Sequence, residues 1–284
     1  MVKCDNCGSS NPEDIKICLS CGSSLKSSVT KNDSLAIIFD FSAPDEIENQ
    51  IRDYFFKIMR FQVESELDPK GYRNYFDHYH KSGFYKKVDI RLPQLAEEVL
   101  TIHAENDPIA LRESENYVDQ SLRTFLDYFI IVFCESLHKM KLPESMLRYE
   151  NIQNSNFDLK QMILDFLDFE NEKDKVYLDF ISMPLEKLNN TKEAFLFTAK
   201  DEKIIFICDQ TVFGSCKEGY AMSDKALYWK PHFNEPGKVN FEEIKSIILE
   251  AEWVTINEQF FNVNKTLNYK MTKLLQKIQS LNKQ

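Results

Sequence analysis

The stretch Lys203-Ile-Ile-Phe-Ile-Cys208, followed by Gly219-Tyr-Ala-Met-Ser223, Asp224-Lys225 and Ala226-Leu-Tyr-Trp-Lys230, decides the fold. The first run is short, apolar and rich in β-branched residues, the composition of a buried strand. The next two runs are separated by two polar residues, the spacing of a β-hairpin. Ile244 to Leu249 and Trp253 to Phe261 read as two further strands. Beyond them Leu267, Met271, Leu274, Ile278 and Leu281 step by four and three, so one apolar stripe runs along a C-terminal amphipathic helix. Strands followed by a closing helix predict a small antiparallel barrel or bent sheet with the helix over one open end.

Upstream the period changes from strand to helix. Ser42 before Ala43-Pro44-Asp45 is an N-cap signal, and Ile47, Ile51, Tyr54, Phe55 and Ile58 then follow the helical repeat. Asp68-Pro69 opens a helix carrying Tyr72, Tyr75, Phe76 and Tyr79, which stops at Ser82-Gly83. Leu92, Leu95, Val99 and Ile102 mark a third helix. Asp107-Pro108 opens a fourth, whose apolar face includes Leu122, Phe125, Leu126, Phe129, Ile130, Phe133 and Leu137. Asp158 caps a further helix with Met162, Ile163, Phe166 and Leu167 inside. The chain therefore reads as α+β, with residues 40–190 helical and 191–284 forming the small β domain.

Four of the seven cysteines fall at the start, in the pairs Cys4-Asp-Asn-Cys7 and Cys18-Leu-Ser-Cys21. Two CxxC pairs supply four thiolates at tetrahedral reach, the donor set of a structural zinc site. So short a segment cannot bury a core, so the metal would supply its folding free energy, about 10–16 kcal/mol. Gly8 and Gly22 each follow a pair, where the chain must turn tightly for main-chain N–H groups to reach sulfur. Disulfides and a redox CxxC are the competing uses, and iron could occupy the same sulfur cage. The run Cys4-x-x-Cys7-Gly8-x-x-Asn11-Pro12, continued by Lys16-x-Cys18-x-x-Cys21-Gly22-x-x-Leu25, resembles the short N-terminal zinc ribbon of bacterial multidomain proteins. That resemblance implies a structural or interaction module with no chemistry at the metal. The segment from Asp209 to Lys230 resembles a bacterial pleckstrin-homology-like module, which implies binding of proteins or lipids. The predicted layout is a ribbon at 1–26, a polar, Ser-rich linker at 27–39, the helical domain at 40–190 and the pleckstrin-homology-like domain at 191–284.

Charge narrows the partners. The 284 residues carry 35 Lys plus Arg against 45 Asp plus Glu, a net charge of -10. Such a surface repels a polyanion, which argues against broad nucleic-acid binding. The exception is the C terminus, where Gln259 to Gln284 hold five Lys and no acid. Lys270, Lys273 and Lys277 lie off the apolar stripe and are expected to share one solvent-facing side, a candidate contact for an acidic partner or an anionic membrane surface. Met1 to Asn11 lacks the apolar core of a signal peptide, and Phe125 to Phe133 is too short to cross a bilayer. A cytoplasmic location follows as the expectation.

Catalytic signatures are missing: no Gly-rich phosphate loop, no GxSxG and no HExxH. His78 and His80, two apart on a helix, point to different sides and cannot chelate one metal there. Cys134 and Cys208 read as small buried hydrophobes and Cys216 as a loop residue. The expected function is a non-enzymatic, zinc-binding adaptor whose partner is another protein. Two readings compete with it. One is a binder of nucleic acid or an anionic membrane surface through the ribbon or basic helix. The other is an enzyme with a site in the helical domain around His78, His80 and His103.

Overall fold

Asp107 shows how the local signals are realised. Its Oδ1 accepts from the Ile109 and Ala110 amides at 2.8 and 3.3 Å, and Pro108, which has no N–H to satisfy, takes the first helical position. Asp158 does the same for a later helix by accepting from the Gln161 amide. The computed structural model describes residues 2–3, 10–11, 35–150, 152, 157–232, 234–250 and 253–282. It is α+β and divides between Lys139 and Met140 into two units.

In the first unit, β1 (Val2–Lys3) and β2 (Ser10–Asn11) pair antiparallel, Val2 opposite Asn11. The helices are α1 (Ile47–Gln62), α2 (Tyr72–Lys81), α3 (Tyr85–Ala104), α4 (Pro108–Tyr128) and the short α5 (Glu135–His138). Helices α1 and α4 run on into wide π turns at Val63–Leu67 and Phe129–Phe133. The expected apolar face of α1 is buried, and so is the aromatic series of α2. Phe56 meets Tyr79 edge-on at 5.4 Å, and Phe84 stacks on Phe129 at 4.9 Å, so these rings are core. Two local readings differ. Ser42 caps nothing, because a 3₁₀ turn at Pro44–Glu46 precedes α1. Asp68-Pro69 does not open α2, which starts at Tyr72 after Gly71. The third helix is present as read, running from Tyr85 through Pro93, with tertiary packing outweighing the lost hydrogen bond.

The second unit contains α6 (Leu159–Leu167), β3 (Lys175–Tyr177), α7 (Leu185–Ala194), β4 (Ile204–Asp209), β5 (Gly219–Ser223), β6 (Ala226–Lys230), β7 (Gly237–Asn240), β8 (Ile247–Leu249), β9 (Val254–Ile256), β10 (Gln259–Phe261) and α8 (Lys265–Asn282). Strands β3 to β7 form one antiparallel meander in chain order, and β8 to β10 form a second. The β5–β6 hairpin matches the sequence reading residue for residue, with Ala221 opposite Tyr228. Trp253 to Phe261 is not one strand. Asn257 and Glu258 take positive φ, 46° and 68°, and fold it into a two-residue hairpin.

The division at 139/140 replaces the domain boundary expected at 190/191. Residues 140–190 contain helices, but β3 pairs with β4 and α6 packs against α8, so they belong with the sheet. Both sheet faces are covered. Tyr177, Ile207, Ala221 and Tyr228 share one core with Met183, Phe195 and Leu196. On the opposite face Phe206 packs on Phe169 at 4.8 Å, while Tyr220 and Trp229 meet Phe261 edge-on. Leu267, Met271, Leu274 and Ile278 of α8 are buried as the stripe predicted.

Gly237 is held by space. A Cβ there would lie 2.3 Å from the Trp229 indole, whose Nε1 donates to the Phe260 carbonyl at 2.7 Å. Gly237→Ala is therefore expected to lower stability by about 1–3 kcal/mol in urea unfolding, with the Trp229 emission shifted to the red.

Candidate functional site

Asp209 ends β4 and organises the loop to β5. It is 5% exposed; its Oδ1 accepts from the Thr211 amide at 3.0 Å, the Thr211 hydroxyl at 2.5 Å and the Cys216 amide at 3.2 Å. Its Oδ2 accepts from the Cys216 thiol at 3.1 Å, and the Thr211 hydroxyl oxygen in turn accepts from the Ser215 amide at 2.7 Å. Gly214 and Cys216 both take positive φ, which closes the loop back on the carboxylate. Cys216 is a loop residue, as expected, and its side chain is buried. Burial first, and then the Asp209 carboxylate, push its thiol up to about 12, with Lys187 opposing. Such a thiol is a packed donor and not a nucleophile. Burial likewise raises Cys208 to about 12 and raises Cys134.

Helix α7 braces the same loop. Asn190 Nδ2 donates to the Ser215 carbonyl at 2.8 Å, and the Thr191 hydroxyl lies 3.1 Å from the Cys216 carbonyl. Lys187 Nζ donates to the Tyr177 hydroxyl at 3.0 Å and passes beside Gly214. The result is a rigid frame with an apolar apex. Phe213 is 97% exposed and Val212 90%, while Ile181 and Leu185, at the start of the bracing segment, are 98% and 72% exposed. Large apolar side chains held in water by a braced loop are the feature of a contact surface. The clue in the sequence was Asp209-x-Thr211, an Asx-turn pattern, directly before Val212-Phe213-Gly214.

The lysines expected to form a contact surface are placed differently. Lys270 is fully buried, and its Nζ donates to the Leu167 carbonyl at 2.9 Å, the Asp168 carbonyl at 3.3 Å and Glu172 Oε1 at 3.4 Å. Lys277 Nζ donates to the Glu150 and Ile152 carbonyls at 3.2 and 3.1 Å, and burial lowers its pKa. Lys273 is partly exposed over the Tyr269 ring at 5.4 Å. The apolar stripe was correct, but the flank beside it also packs. The candidate surface of Lys270, Lys273 and Lys277 is thus not one solvent-facing side.

The histidines do not converge. His78 Nε2 lies 2.6 Å from the Phe133 carbonyl, whereas His80 packs edge-on against Phe76 and Tyr79 and its pKa is lowered by burial. His103 stacks on Phe41 at 3.6 Å. Cys4, Cys7, Cys18 and Cys21 lie outside the described residues. Among the described residues, no group of three or more His, Cys, Asp or Glu side chains could hold a metal ion, and no helix is long and apolar enough to cross a membrane. Comparison with family models, curated proteins and solved structures finds no match.

The lysine placement has a measurable consequence. Lys270→Met is expected to cost about 3 kcal/mol, because two carbonyls and Glu172 lose a buried partner. Lys273→Gln should stay within about 0.5 kcal/mol of the wild type. Parallel thermal or urea unfolding of the two variants checks the contrast.

Proposed function

We propose that the chain is a non-enzymatic adaptor of the bacterial cytoplasm. A zinc ribbon at residues 1–26 is one of its modules, and the second unit docks a protein partner through the Val212–Phe213 apex. The observation that carries the reading is this apex, with Ile181 and Leu185 on the segment that braces it. Exposed aromatic and aliphatic side chains on a preorganised loop are what an interface anchor requires, since little ordering entropy remains to be lost on binding. Two antiparallel meanders followed by a closing helix support the pleckstrin-homology-like reading of this unit.

The ribbon reading rests on the two CxxC pairs, with the β1–β2 pairing in support. That pairing brings together the chain on either side of Cys4 and Cys7, as a knuckle would need. One structural zinc, held by Cys4, Cys7, Cys18 and Cys21, is its cofactor. The alternative contact through the basic helix has lost support, because Lys270 and Lys277 already hold carbonyls inside their own unit.

Two measurements test the proposal. Metal analysis of the full chain should find about one zinc per chain, lost in Cys18→Ser/Cys21→Ser. A metal-free wild-type chain refutes the ribbon. Affinity purification from the native host should recover a protein with the wild type that Val212→Ser/Phe213→Ser no longer retains, at an unchanged melting temperature. Equal recovery by both chains sinks the docking reading.

A further inference from the structure

The five-stranded sheet ends at β3. One flank of β3 pairs with β4, Val176 opposite Cys208, and among the described residues no strand lies on the other flank. A bare edge offers main-chain donors and acceptors to another chain unless a helix, a loop, a bulge or a lysine blocks it. The one lysine of β3, Lys175, turns its ammonium over the Tyr177 ring at 5.2 Å, on the face away from the groove. Here the edge borders a cavity of about 470 Å³ between β3 and α6. Leu164, Phe169, Val176 and Leu178 provide its apolar surface. Tyr177 faces the opposite core, so Val176 and Leu178 are the alternate positions that strand geometry leaves for the groove.

The charge of the groove is of one sign. Asp165, Asp168, Glu170 and Asp174 line it, with no Lys or Arg among the lining residues. Asp165 is engaged by Tyr149 at 2.6 Å and by Arg148 at 3.6 Å. Among the described residues Asp168, Glu170 and Asp174 make no ion pair within 4 Å, although the whole second unit is rich in lysine. Burial, together with nearby Asp209, raises the Asp174 carboxyl above its usual range, a cost that an incoming cation would relieve.

We infer that the free edge of β3 takes an extended basic segment of a partner protein as an added strand, with apolar side chains in the β3–α6 groove and Lys or Arg on its acidic rim. Main-chain pairing would give affinity, and the alternating apolar and basic side chains would give specificity. This goes beyond the apex reading and uses different residues, so an adaptor would have two contacts on one unit.

The test is a fluorescence-anisotropy titration of the full chain with a short labelled peptide of alternating Lys and Val. A peptide of alternating Lys and Pro has the same charge but cannot form a ladder. Binding of the Lys-Val peptide alone is expected, weakened about tenfold or more by Glu170→Lys/Asp174→Lys. Hydrogen exchange of residues 173–178 should slow in the complex. Should the double variant melt early, Glu170→Lys alone, on an exposed side chain, provides the contrast. Val212→Ser/Phe213→Ser should bind the peptide like the wild type, so failure of the apex reading leaves this result standing. No binding at low salt, equal binding of both peptides, equal binding by the charge-reversed variants, or unchanged exchange at β3 would each overturn the inference.

Discussion

One buried ammonium ties the second unit together. Helix α6 ends at Leu167, and the last carbonyls of any helix have no partner within it and carry its negative dipole end. Asp168 then turns the chain through a left-handed conformation toward β3. Lys270 reaches these carbonyls from α8 and adds the Glu172 carboxylate, so one side chain satisfies a helix end and joins three segments. Lys277 repeats the device on the Glu150 and Ile152 carbonyls. The basic end of the sequence thus finds part of its counter-charge, as dipole and carboxylate, within the fold.

The doubly covered sheet follows from the same anchoring. With α6 fixed to α8, one sheet face is closed by Phe169, Phe261 and the second meander. The other face is closed by α7 and the Phe195–Leu196 turn. Strands buried on both faces read as continuous apolar runs instead of alternating ones. This explains why Ile205, Phe206, Ile207 and Cys208 are all buried although they point alternately to two sides. It also explains the tolerance of Gly237, where the Trp229 indole fills the place of a side chain.

Among the described residues, several side chains weighed for chemistry are absorbed into this packing. Cys216 serves the Asp209 loop, His78 a main-chain carbonyl, and the α2 aromatics a core. What the second unit leaves to water is of another kind, an apolar apex framed by hydrogen bonds and an acidic groove beside an unpaired strand. Both are the features on which the proposed contacts rest.

Local signals were legible in the sequence because their physics is local. Asp107-Pro108 and Asp158 cap helices through their own side chains, Asp224-Lys225 turns a hairpin, and Leu267 to Ile278 mark a buried stripe by period alone. The double CxxC spacing is a local signal too, and the proposed zinc ribbon rests on it. The α+β class followed from these patterns. The unit boundary did not, because β3 is three residues long and exists only by pairing with β4, and because α6 looks like any amphipathic helix until α8 covers it. Nor did the lysines reveal their side. Helical periodicity separates an apolar stripe from its flank, but whether that flank meets water or the carbonyls of another segment depends on chain folded against it from more than a hundred residues away. Tertiary structure decided that, because a lysine's long apolar stem lets its charge serve either solvent or a buried helix end.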